Sequence, residues 1–357
     1  MTRIGQSAAA AVLLSILLAP PAAAQSGVIH EPFPVRLVFT GDINLGTRTL
    51  PDGLPPDSGR TLLLAVDSLL QADLVVGNFE GVLSDSGESE KCAARATMCY
   101  AFATPTDLVH RLAEAGFTHV NLANNHANDF GPCWRRHTED TFRAQGITPY
   151  GPRGMVAITP VFRDGRMTLV GLVGFSTYPF SYNLLDLEES RAIVSEVRSL
   201  VDLLVVTFHG GAEGKLAVRT GDGPEFLGRE KRGDLRPWAR AVLEAGADAV
   251  IGHGPHVLRG IEFHLGKPIF YSLGNFLTYR GFNLSGPLGL TTALQLELAG
   301  DGRFVSARVP SLVQRPGHGP APDPSHGSRD LIRRVTALDF PATGAVVADD
   351  GTVSQAR

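Results

Sequence analysis

The sequence predicts an α/β fold whose core is a set of buried parallel strands, and three observations lead there. Short apolar runs without polar alternation, such as LVVGNF and DLLVVTF, mark strands covered on both faces. Helix-like segments stand between them, which is the connection that parallel strands need. Beyond Gly260 the pattern changes to strand after strand, so an antiparallel extension or a second sheet completes the fold.

In chain order, VRLVFTGD (35–42) reads as a buried strand and Thr61–Gln71 as a helix. LVVGNFEG (74–81) is the next strand, Gly87–Met98 a polar loop and Thr106–Ala115 a short helix. HVNLANNH (119–126) is a strand, followed by a helix over Arg135–Gln145. TLVGLVGFS (168–176) is again a strand and Glu188–Leu200 a helix. DLLVVTFHG (202–210), a helix over Arg229–Ala245 and DAVIGHG (248–254) complete the alternation. IEFHL, PIFYSLG, TTALQLELA and RFVSARVPSLV supply the late strands. No linker interrupts residues 34–313, which are read as one domain. The tail, residues 314–357, is rich in Pro, Gly and Ser and predicts loose packing or disorder, with a short helix near Asp330–Thr336.

The first residues, MTRIGQSAAAAVLLSILLAPPAAAQS, give a basic start at Arg3, an apolar stretch over Ala8–Ala19 and a small-residue step at Ala22-Ala23-Ala24. That order describes a secretory signal peptide over residues 1–24. Export to the periplasm or beyond is the expectation, with membrane association if the leader is not cleaved. No later run approaches the roughly 18 apolar residues of a membrane span. The net charge of −4 argues against nucleic acid or an anionic membrane surface as a bulk partner. Three cysteines, Cys92, Cys99 and Cys133, are few for a disulfide scaffold. Export permits one bridge, Cys92–Cys99 or either of these to Cys133, with one thiol left over.

Polar residues gather where the core strands end. Asp42 follows VRLVFTG, Glu80 follows LVVGNF, and Asn125 with His126 closes HVNLANNH. His209 follows DLLVVTF, and His253 and His256 follow DAVIG. The carboxyl ends of parallel strands share one edge, where ligands bind. Each residue alone has a structural explanation: a capped turn for Asp42, a left-handed turn position for Asn125, a satisfied core histidine for His209. Five such strand ends together favour a site. Carboxylate, amide and imidazole donors without cysteine suit Mn, Fe or Zn rather than an all-oxygen Ca or Mg cage. Seven donors exceed the needs of one ion, so two divalent transition-metal ions sharing a carboxylate are expected. Asn125 is then a ligand, and His126 is the acid that protonates a leaving group.

These blocks resemble the metallophosphoesterase superfamily, and within it the CapA-type poly-gamma-glutamate capsule biosynthesis proteins. They read FTGDINLG (39–46), VVGNFEG (75–81), LANNHANDFG (122–131), HGGAEG (209–214), GHGPHVLRGIE (252–262) and YSLGNF (271–276), in family order. The resemblance implies an αββα sandwich of two mixed sheets flanked by helices. By position it makes Asp42, Glu80, Asn125, His209, His253 and His256 metal ligands and His126 the catalytic acid. Asn44 falls where the superfamily usually has a histidine ligand, which weakens one metal position. Gly210 and Gly214 stand where the family often has tryptophan and tyrosine, and Gly254 replaces a common histidine. Glu213 and Asn275 belong to family motifs and support the site, Asn275 having an equal claim as a turn residue after PIFYSLG.

The resemblance implies an exported metal-dependent hydrolase in capsule or envelope polymer biosynthesis, acting on a phosphoester or an anionic polymer beside the biosynthesis machinery. A reading from another class is a non-catalytic assembly or export factor that binds an acidic polymer and keeps the metal site structurally. Lys215, Arg219 and Arg280 lie close to site motifs and would meet such anions, although solvated surface charge is the commoner explanation. An esterase of the Gly-Asp-Ser type is excluded because Ile43 occupies the nucleophile position. HGGAEG lacks the spacing and the strand–helix setting of a dinucleotide loop.

Overall fold

The computed structural model describes residues 31–92 and 99–356, so the expected leader lies outside the described residues. Two mixed sheets form the core. The larger orders its strands Ala345–Val347, Thr352–Gln355, Phe304–Arg308, Ala293–Leu298, Val35–Asn44, Leu74–Phe79, His119–Asn121 and Thr148–Tyr150. Asn275–Thr278 lies beside the end of Val35–Asn44. The second sheet runs Ile261–His264, Lys267–Phe270, Ala249–His253, Leu203–His209, Arg166–Ser176 and Ala157–Arg163. The central neighbours in both sheets are parallel, as the unbroken apolar runs require.

Alternation along the strands shows how the layers stack. Leu37, Phe39, Leu74 and Val76 of the first sheet share one buried cluster with Leu203, Val205, Ala249 and Ile251 of the second. Their neighbours in sequence, Val38 and Val75, turn the other way and pack with Leu112 and Phe142 of helices His110–Glu114 and Gly131–Ala144. On the opposite side Leu204, Val206 and Val250 meet Val194 and Trp238 of helices Leu187–Arg198 and Leu235–Glu244. A period of two thus builds helix, sheet, sheet, helix, the expected αββα sandwich.

Several elements differ from their sequence reading. Thr61–Gln71 forms successive turns and a 3-10 segment over Asp67–Leu69, with Leu62, Leu63, Val66 and Leu70 still buried. The helical spacing there serves a chain of three-residue hydrogen bonds. The strand at His119 stops at Asn121, because amide side chains take over the backbone pairing beyond it. The helix expected from Arg229 begins at Leu235, since Glu230–Gly233 pairs with Glu225–Leu227 as a hairpin. Ala157–Arg163 is a strand not foreseen in the sequence, joined to Arg166–Ser176 through Asp164 and Gly165, both at positive φ.

The expectation of a loose tail is corrected within the described residues. Helix Gly327–Asp339 buries Leu331, Ile332 and Val335 in the inter-sheet core, and Thr352–Gln355 pairs with Phe304–Arg308. Within the Pro-, Gly- and Ser-rich stretch, Pro320–Pro322 pairs with Leu312–Gln314 as a strand, and the apolar spacing that follows is what docks. Among the described residues no helix is long and apolar enough to cross a membrane. Cys92 and Cys99 form the disulfide, and Cys133 is free and exposed.

Candidate metal centre

The parallel register delivers the polar residues to one rim. His209 and His253 end adjacent strands as direct partners, and Asp42 is in register with Asn78 on one side and Asn275 on the other. Gly41 allows the last approach: a Cβ there would lie 1.9 Å from the Gly274 carbonyl oxygen. That carbonyl instead accepts the Asp42 N–H at 2.9 Å.

Asp42, Glu80 and His256 each offer a ligand atom, all within 4.8 Å of one another. His256 Nδ1 is 2.9 Å from Asp42 Oδ2, and His253 Nδ1 is 3.5 Å from Asp42 Oδ1. His209 Nδ1 lies 3.1 Å from Glu80 Oε1 and 3.3 Å from Asn78 Nδ2, and its Nε2 has no hydrogen-bond partner among the described residues. Asn275 Oδ1 sits 3.1 Å from His256 Nδ1, while its amide donates to the carbonyls of His256 and Leu288. Glu213 joins Arg232 at 2.8 Å and stands 3.9 Å from His256 Nε2. Five of the expected ligands are thus brought together, with Asn275 and Glu213 around them.

Four donor atoms at expected ligand positions are buried without any hydrogen-bond partner: Glu80 Oε2, Asn125 Oδ1, His209 Nε2 and His253 Nδ1. Orphaned atoms of this kind are costly in a folded protein, and each is of a type that coordinates a cation. The proton affinities carry the same strain. Burial would raise Asp42, but the His253 and His256 imidazoles outweigh it and hold the carboxyl well below its usual range. Burial and the Asp42 charge push Glu80 well up. Burial, reinforced by the Arg232 charge, pushes His209 well down, as a neutral imidazole ligand needs. The residues therefore fit a divalent metal.

Asn125 and His126 occupy the neighbouring side of the rim. His126 Nδ1 lies 2.7 Å from Asp129 Oδ2, and burial lowers its proton affinity against the pull of Asp129. Its ring packs on Phe102 at 4.5 Å, Phe102 stacks on Phe282 at 4.9 Å, and Phe282 meets the His256 ring at 5.4 Å. Two phenyl rings thus span the gap between His126 and the metal cluster.

Asn44 is engaged elsewhere: its amide donates to the Glu80 carbonyl at 2.7 Å and its oxygen accepts Gly46 N–H at 3.1 Å. It holds the backbone beside Glu80. Gly254, at φ +111°, would bring a Cβ to 2.6 Å from the Gly210 carbonyl oxygen, so two of the glycine departures form one close backbone crossing. Arg219 pairs with Asp339 on the docked tail, and Lys215 and Arg280 are exposed.

The sequence profile that describes "Bacterial capsule synthesis protein PGA_cap" matches residues 36–280, the stretch that carries every block of the rim. The chain belongs to this capsule synthesis family. The PGA biosynthesis protein CapA of Bacillus subtilis (strain 168) is 28% identical over 317 residues, covering 84% of this chain and 77% of its own. The capsule biosynthesis protein CapA of Bacillus anthracis is 28% identical over 271 residues, covering 69% of this chain and 59% of the relative. Among solved structures, a 5'-nucleotidase precursor from Thermus thermophilus aligns with a TM-score of 0.43 and 15% identity. That alignment covers 87% of this chain and 59% of the nucleotidase. Purple acid phosphatase PPD1 from yellow lupin aligns with a TM-score of 0.35 and 12% identity, covering 78% of this chain and 53% of the phosphatase.

Asn78 and Asp129 at this rim were not singled out in the sequence, whereas Asn124 stood out beside Asn125 and His126. Asn78 Nδ2 donates to Asp42 Oδ1 at 2.8 Å and to Glu80 Oε1 at 3.2 Å, while its oxygen accepts from Asn121 and Asn124. Asn124 also donates to the Phe79 carbonyl and accepts His126 N–H, which fixes the turn and leaves Asn125 its free oxygen. Asp129 orients His126, and its spacing in NHAND was the available signal.

Proposed function

We propose that the protein is an exported metal-dependent hydrolase that acts on phosphoesters in capsule or envelope polymer biosynthesis, with an anionic polymer such as poly-gamma-glutamate as partner or product. The observation that carries this reading is the set of four buried, partnerless donor atoms on Glu80, Asn125, His209 and His253. Asp42, Glu80, Asn125, His209, His253 and His256 would hold the metal, two ions of Mn, Fe or Zn by the size of the donor set. Bound there, the metal supplies Lewis-acid polarisation of a phosphoryl oxygen. Asn78 and Asn275 keep the carboxylates and His256 in place. His126, with Nδ1 on Asp129, presents Nε2 to give a proton to the leaving oxygen. Phe102 and Phe282 shield that transfer from water. The Cys92–Cys99 bridge and the leader-like residues 1–24 support an oxidising destination outside the cytoplasm.

Elemental analysis of the purified chain, residues 25–357, beside Asp42→Asn and His209→Ala tests this. Two transition-metal ions per chain, lost in the variants and accompanied by turnover of aryl phosphate esters, are expected. One ion would leave a mononuclear site. No metal uptake by folded protein offered Mn, Fe and Zn would sink the hydrolase and favour an assembly factor that binds polymer.

A further inference from the structure

Lys91 has no part in that scheme, yet its ammonium group lies against His126, the rim imidazole read as the proton donor. Its Nζ is 2.9 Å from Asp129 Oδ1, 3.2 Å from the Asn125 carbonyl oxygen and 3.3 Å from His126 Nδ1. At 2.9 Å the ammonium and Asp129 Oδ1 form an ion pair. Asp129 Oδ2 is occupied from the other side, by His126 Nδ1 at 2.7 Å and the Phe102 N–H at 2.9 Å.

The chain around Lys91 is clamped to the same turn. Ser89 Oγ, Glu90 N and Lys91 N all donate to the Asp129 carbonyl, at 2.9, 3.0 and 3.2 Å. Cys92 follows directly and is bridged to Cys99, after which Phe102 returns to the Asp129 carboxylate. Both flanks of the disulfide-closed loop therefore end on Asp129. The Lys91 side chain is itself 34% exposed, so these backbone contacts, and not burial, place its ammonium. A lysine held by backbone hydrogen bonds on one side and a disulfide on the other is a placed charge.

We propose that Lys91 is a positioning residue for His126, acting through Asp129, and that the Cys92–Cys99 bridge keeps it there. The inference rests on the reading of His126 as proton donor. Asp129 is fully buried, so without Lys91 its Oδ1 would lose the cation that faces it. The carboxylate would then turn toward another donor, and the imidazole would lose the partner that fixes its orientation.

The test compares zinc-loaded wild type, Lys91→Met, Lys91→Arg and the Cys92→Ser, Cys99→Ser double variant at one pH. It reads turnover of bis(p-nitrophenyl) phosphate and the ¹⁵N signals of the His126 ring. Lys91→Met is expected to lower kcat about 10- to 100-fold with KM and zinc content unchanged, and to move the His126 signals. Lys91→Arg restores the signals and most of kcat, and the double serine variant falls between. Unmoved signals with unchanged kcat in Lys91→Met overturn the proposal, as does a rise in KM alone, which would make Lys91 a substrate contact. Wild type that turns over no phosphoester defeats the hydrolase reading instead. The ring signals then decide the positioning role: a shift in Lys91→Met reversed in Lys91→Arg sustains it, and no shift overturns it.

Discussion

Asn78 donates to Asp42 Oδ1 at 2.8 Å from the neighbouring parallel strand, where the two residues are direct register partners. The same amide reaches Glu80, and its oxygen gathers Asn121 and Asn124. One buried side chain therefore sets the spacing of two carboxylates and anchors the turn that carries Asn125 and His126. Asn78→Ala is expected to weaken metal binding about 10- to 100-fold and to cost about 2 kcal/mol of stability. Metal titration and urea unfolding would read these effects. Wild-type affinity in a folded variant would show that the carboxylates hold their positions unaided.

Gly254 and Gly210 make a second relationship that the rim depends on. Gly254 sits at φ +111°, and a Cβ there would lie 2.6 Å and 2.7 Å from the Gly210 carbonyl oxygen and nitrogen. Gly254→His would combine backbone strain with a clash against the Gly210 backbone. A loss of about 3 kcal/mol in urea unfolding is expected. A variant as stable as wild type would mean that the two strand ends can separate freely.

The sandwich and the gathering of polar strand ends at one rim were legible for the same reason. Strands buried on both faces tolerate few polar residues, so Asp42, Glu80, His209 and His253 stand out at their ends. Asn78 was hidden inside LVVGNF, because its purpose lies in partners on other strands and sequence spacing does not record them. Asp129 was hidden beside a more conspicuous histidine. In the tail, Pro and Gly composition outweighed the apolar spacing of Leu331, Ile332 and Val335, although only that spacing reports what the segment buries.

The docked tail yields its own prediction. Ile332 is 2% exposed within the inter-sheet cluster. Ile332→Ala should cost about 3 kcal/mol, the usual range for a buried isoleucine truncated to alanine. A cost below about 0.5 kcal/mol in urea unfolding would show the tail to be dispensable to the core.

His119 predicts acid sensitivity. Its ring nitrogens are 2.8 Å from Thr118 Oγ1 and from Thr159 Oγ1, the latter on the other sheet. Burial lowers its pKa from 6.5 to about 4. Between those values the unfolded chain binds the proton and the folded chain does not, so stability falls as pH drops through this window and levels off below it. The loss amounts to roughly 3 kcal/mol. Urea unfolding at several pH values should show that His119→Gln removes this part of the slope. An unchanged slope would show that the folded chain binds this proton as readily as the unfolded chain does.

Metal binding should itself depend on pH through His256. Burial alone would push this imidazole down, but Glu80, Asp42 and Glu213 surround it and raise it to about 10. Its Nδ1 is 2.9 Å from Asp42 Oδ2, and its Nε2 is 4.0 Å from Glu80 Oε2 and 3.9 Å from Glu213 Oε2. A metal and a proton compete for the same lone pair, so loading the metal-free protein with zinc at neutral pH must release the His256 proton. Affinity should therefore rise about tenfold per unit from about pH 6 to 9. Calorimetry in buffers of different ionisation enthalpy would count that proton, and His256→Ala should remove it while weakening binding. Affinity that stays flat across the range would mean that His256 is already neutral, and that the three carboxylates lie farther from it than this geometry places them.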